Sequence, residues 1–76
     1  MGVVFREYLD RRGMRLTRPR RDVIEIVSWM PIRFSADEVI NIACHGRATI
    51  YRTLIELVEA DLLEPSGDKY LKRGFG

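Results

Sequence analysis

Within the stretch RATIYRTLIELVEADLL, Arg47 to Leu63, the residues Ile50, Leu54, Leu57 and Val58 recur at i, i+4, i+7 and i+8. That spacing is one stripe of an α-helix and has to face a core. A chain of 76 residues has room for one small core, so this helix dictates what the remaining elements must cover. Arg52, Glu56 and Glu59 fall roughly opposite the stripe, with Thr49 and Tyr51 on its flanks. Arg47, Thr49, Tyr51 and Arg52 crowd the first turns, giving the helix an apolar back and a cationic, aromatic front.

The rest of the chain is divided by clear stop and start signals. Val3 to Arg12 reads as a first helix with Val4, Phe5, Tyr8 and Leu9 on one side, ended by Gly13. Met14-Arg15-Leu16 is a short extended connector, and Thr17 is placed to cap a second helix that carries Pro19 in its first turn. Val23, Ile26, Val27 and Met30 form that helix's buried stripe, Trp29 lies at the core edge, and Pro31 stops it. Ser35-Ala-Asp-Glu38 is a capping box opening a short third helix, with Val39 and either Ile42 or Ala43 inward. Cys44-His45-Gly46 is the turn into the long helix, which ends near Asp61. Leu62–Glu64 and Lys69–Lys72 read as two short strands around a Pro65–Asp68 turn. The fold expected is mainly α with a small β-hairpin, a winged helix-turn-helix of four helices plus a two-stranded wing, forming a single domain over residues 1–76.

Charge is unevenly spread. The net charge is only +2, yet residues 1–21 hold seven arginines and no lysine against Glu7 and Asp10. Residues 22–46 reverse the sign, with Arg33 against Asp22, Glu25, Asp37 and Glu38. A phosphate backbone senses such local clustering within a Debye length rather than the total, and arginine suits bidentate contacts to phosphate and guanine.

Several classes of function are disfavoured. No apolar run is long enough to span a membrane, and the charged N-terminus is not a signal peptide. The single cysteine, Cys44, excludes an intramolecular disulfide framework and suits the cytosol. Cys44 and His45 supply two adjacent ligands where structural zinc needs four, so no metal site or cofactor is expected. No phosphate loop, paired carboxylates or activated nucleophile is present, so neither catalysis nor a small-molecule substrate is expected. Tyr8, Tyr70 and Phe75 are assigned to packing, and Arg73-Gly-Phe-Gly to a loose end.

The segments RRGMRLTRPRRDVIEIV, FSADEV and ATIYRTLIELVEADLL, in that order, resemble the DNA-binding domain of the ferric uptake regulator family of bacterial repressors. The resemblance spans about Phe5 to Leu71 and is most specific at Gly13–Arg20 and Ala48–Leu54. It implies a thymine-packing role for Tyr51, base or phosphate contact for Arg52, and a minor-groove position for Arg15. It also implies phosphate contact for Arg20 and places Thr49 at the start of the reading helix.

Three departures stand out. The stretch before the long helix is about five residues shorter than is usual in the family. Ile32-Arg33 and Arg73 occupy the places of the family's metal-binding His and Glu. Its dimerisation and metal-sensing domain has no counterpart in these residues.

The expected function is therefore sequence-selective binding of double-stranded DNA within a bacterial transcriptional regulator, cytoplasmic and nucleoid-associated. Arg15, Arg18, Arg20, Arg21, Arg47, Thr49, Tyr51, Arg52, Lys69 and Lys72 are the expected DNA-contacting residues, with a homodimer left open. The competing expectation is a winged-helix protein–protein interaction module without DNA contact.

Overall fold

The computed structural model describes residues 2–73. Four helices come first in the chain, interrupted by one short strand: α1 (Gly2–Arg11), α2 (Arg18–Trp29), β1 (Arg33–Ser35), α3 (Ala36–Ile42) and α4 (Arg47–Glu59). A hairpin of β2 (Leu63–Ser66) and β3 (Lys69–Lys72) follows. The architecture is thus mainly helical with a small antiparallel sheet. Phe75, assigned above to packing, and Gly74 and Gly76 lie outside the described residues.

The helix boundaries follow local chemistry. Ser35 and Glu38 form the reciprocal capping box: the Glu38 amide donates to Ser35 Oγ at 3.4 Å and the Ser35 amide donates to Glu38 Oε2 at 2.7 Å. Thr17 occupies the N-cap position of α2, but its side chain makes no capping bond. Helix α1 ends in a Schellman arrangement, with Gly13 at φ +68° and the Met14 amide donating to Leu9 O at 2.8 Å. Helix α4 ends the same way, the Leu62 amide donating to Leu57 O at 2.9 Å, although Asp61 rather than glycine adopts the positive φ of 62°.

The sheet corrects the expected two-stranded wing. Strand order is β1-β3-β2, and β3 pairs antiparallel with both neighbours. Three residues containing one apolar side chain carry no legible strand signal. What makes β1 a strand is its partner: Phe34 sits opposite Tyr70, and their rings stack with centroids 5.8 Å apart. The hairpin turn is also tighter than expected. Pro65 lies within β2, an edge strand where its missing N–H is tolerated, and the turn is Gly67-Asp68 with Gly67 at φ +64°.

One core joins these parts. Phe5, Leu9, Val23, Val27, Phe34, Val39, Ile50, Leu54, Leu57 and Leu63 are buried in a common cluster. The expected stripe of α4 is inward, with Val58 half-buried beside it. Two apolar expectations fail at its margins: Val4 is 45% exposed, and Trp29 is not a core-edge residue but 83% exposed. Of the two alternatives on α3, Ala43 packs inward and Ile42 faces solvent. The core closes on Val23 and Val27 instead, leaving the outer side of α2 uncovered.

Tyr8 anchors α1 to the end of α4. Its ring stacks on Phe5, the Arg12 guanidinium lies 5.0 Å from its centroid, and its hydroxyl donates to Glu59. Burial, and then the hydrogen bond to the Glu59 carboxylate, push the Tyr8 pKa from 10.0 up to about 12. A raised folded-state value means that the contribution of Tyr8 to stability is present below pH 10 and is lost as pH rises towards 12. Relative to Tyr8→Phe, the unmodified domain is expected to lose about 2 kcal/mol over that interval, measured by urea denaturation at each pH.

Candidate nucleic-acid interface

The exposed front of α4 begins at Gly46, whose lack of a side chain leaves the first-turn amides without an N-cap acceptor. Thr49 and Arg52 then project from the first two turns into a shallow groove shared with Thr17, Pro19 and Arg20 from the start of α2. The fold thereby brings together two segments that are some thirty residues apart in the chain, each opening a helix. Tyr51 stands on the same turns at 37% exposure. It also neighbours the sheet: burial first, and then the Tyr51 phenol, raise the Tyr70 pKa.

Arg20 is the residue whose placement departs most from expectation. Its Nε and Nη2 donate to Glu56 Oε1 and Oε2, both at 2.8 Å, a bidentate pair. Nη1 donates to the Arg15 carbonyl at 3.0 Å, so every guanidinium nitrogen has a partner within the protein. The hydrogen bonds that Arg20 donates to Glu56, outweighing the opposing effect of burial, raise the Arg20 pKa further. Arg20 therefore holds the 14–15 connector and the start of α2 against the middle of α4. It does not offer a free cation to a phosphate.

Glu56 was expected on the solvent side and is instead only 7% exposed. The wheel places it next to Thr53, which is also buried, and α2 covers that flank. The sequence signal was present but weak: an acid bordering an apolar arc requires a cation from elsewhere in the chain.

A second tether steadies the α4 start. His45 Nε2 lies 2.8 Å from Asp22 Oδ2, tying the α3–α4 turn to α2. Spacing alone showed His45 only as a turn residue, because its partner is twenty-three positions away.

The remaining expected contacts divide into two groups. Among the described residues, Arg15, Arg18, Arg21, Arg52 and Lys69 make no salt bridge. Arg15 and Arg21 share a second depression with Arg6, adjoining the connector. Arg47 has only a loose, solvent-exposed pairing with Asp37 at 3.7 Å, which contributes little and yields readily to a phosphate.

Lys72 is different. Its Nζ donates to the carbonyls of Ser28 at 3.2 Å and Met30 at 2.9 Å, satisfying the C-terminal end of α2. That places Lys72 a full helix length from the groove. Arg73, expected in a loose end, pairs with Glu64 at 3.2 Å.

No protein-family model matches this sequence, and no curated protein matches it.

The Arg20–Glu56 pair gives a direct test of the scaffold. Replacing Glu56 with Ala strands a poorly solvated guanidinium, and breaking such pairs typically costs about 3–5 kcal/mol. Urea denaturation of Glu56→Ala is expected to show a loss of that order. A change below about 0.5 kcal/mol would mean that the pair is a surface contact.

Proposed function

We propose that this chain is a sequence-selective, double-stranded DNA-binding domain of winged helix-turn-helix type, acting in a bacterial transcriptional regulator of the ferric uptake regulator kind. The observation that carries the reading is the groove where the starts of α2 and α4 meet, with uncommitted arginines at and beside it. A helix start of this form suits the major groove, with its N-terminal side chains towards base edges.

In this reading Tyr51 and Thr49 meet the bases, the Tyr51 ring against thymine methyls. Arg52 reaches a base edge or a phosphate. Arg15 enters the adjacent minor groove, where narrow A·T-rich stretches concentrate negative potential. Arg18, Arg21 and Arg47 neutralise phosphates, and the first-turn amides of α4 add neutral donors to the same backbone. Lys69, beside the hairpin turn, contributes from the wing. Arg20 acts through position: it sets the angle between α2 and α4 and fixes the Arg15 carbonyl. The setting is the bacterial cytoplasm, on the nucleoid.

Selection from a random duplex pool, followed by anisotropy titrations of the selected site and a scrambled one, tests the proposal. The three phosphate-neutralising arginines, Arg18, Arg21 and Arg47, contribute about −2.7 to the log–log salt slope, and Arg18→Ala is expected to flatten it by about 0.9. Tyr51→Ala is expected to shrink the ratio of selected to scrambled affinity while leaving that slope unchanged. Absence of duplex binding at about 50 mM salt overturns DNA binding. Equal affinities of the unmodified domain for both duplexes overturn sequence selectivity.

A further inference from the structure

Trp29 is the only tryptophan of the chain and one of its most exposed side chains. Nothing in the fold needs it there, since the core closes without it. It ends a stripe on the outer side of α2, Asp22, Glu25, Ile26 and Trp29, spaced i, i+3, i+4 and i+7. These residues and Ile42, 58% exposed at the end of α3, line one open groove. Helix α3 has seven residues and α2 has twelve, about 10 Å against 18 Å, and the end of α3 leaves this face of α2 open.

A tryptophan carries roughly 150–250 Å² of buriable surface and is a frequent anchor of protein interfaces. The two charged residues that line the groove are both acids, while the Lys72 ammonium is held on the carbonyls of Ser28 and Met30 at the end of the helix. Asp22, whose carboxylate already meets His45, and Glu25 border the groove, no Lys or Arg lines it, and Glu25 makes no salt bridge among the described residues.

We propose that this groove docks a cationic amphipathic segment of another protein, its apolar side chains over Ile26, Trp29 and Ile42 and its Lys or Arg residues against Glu25. Charge selects this occupant over the others. A nucleic-acid backbone meets two carboxylates here and is repelled. A second copy docked through the same face is isologous, setting Asp22 and Glu25 against their own equivalents. The exposed face of α1 is no better a match, because Arg6 and Arg11 are offset there by Glu7 and Asp10. The groove runs from Asp22 to Trp29 along α2 and shares no lining residue with the candidate DNA groove.

Trp29 is its own reporter. The probe is a short Leu/Lys peptide with leucines at helical spacing. One control replaces every Lys with Glu, and a second scrambles the order of the Leu/Lys peptide. The amphipathic Leu/Lys peptide is expected to shift Trp29 emission to shorter wavelength and protect it from acrylamide, while neither control does so. Ile42→Ser combined with Glu25→Lys, both at exposed positions, is expected to weaken binding at least about tenfold with an unchanged circular dichroism spectrum. Any one of four results overturns the proposal: no emission shift with the Leu/Lys peptide, an equal shift with either control, a concentration-dependent shift of the protein alone, which would assign the face to a second copy, or a shift produced by duplex DNA. The peptide comparison uses the unmodified protein and stands even if the double variant fails to fold.

Discussion

The bidentate contact between Arg20 and Glu56 ties the start of α2 to the body of α4, the two helices on which the candidate interface is built. A carboxylate 7% exposed on the middle of α4 is tolerable only with a cation placed against it. The first turn of α2 supplies that cation, and the same guanidinium reaches back to the Arg15 carbonyl. One side chain thus sets three separate pieces of chain in register: the connector, α2 and α4. Buried ion pairs of this kind add little net stability relative to an apolar substitute, but an uncompensated partner is expensive. Alternative packings of α2 on α4 are penalised accordingly.

The remaining constraints are short-range and come from the ends of elements. Schellman arrangements at Gly13 and Asp61 turn the chain sharply after α1 and α4, and the Ser35–Glu38 box starts α3. Lys72, reaching from β3 to the carbonyls of Ser28 and Met30, holds the end of α2 to the sheet. Tyr8 closes the other side by joining α1 to Glu59. With so small a core, such end contacts make up a large share of what distinguishes one arrangement of the helices from another.

Helix α2 has opposite characters at its two ends. Its first turn is cationic and faces the start of α4. Its last turns are apolar, edged by acids and uncovered. The charge polarity visible along the chain is therefore also a spatial polarity, and one helix carries both surfaces. In this arrangement Arg20 and Lys72 keep the architecture in place, while Arg15, Arg18, Arg21 and Arg52 remain available to a ligand.

Periodicity and end signals settled the four helices, the hairpin and the stripe of Ile50, Leu54 and Leu57, because 3.6-residue spacing and the chemistry of caps act locally. The Arg-rich entry and the cationic, aromatic start of α4 were legible for the same reason: composition over a few residues is all they require. Packing decided the rest. Strand β1 exists because Phe34 meets Tyr70, thirty-six positions away, and three residues cannot announce such a pairing. Which arginines are free, which acid is buried and whether Trp29 is covered depend on how α2 lies across α4 and how far α3 extends. Arg20 and Arg18 are indistinguishable as letters. Only the tertiary structure separates them, by setting Glu56 within hydrogen-bond reach of one and not the other.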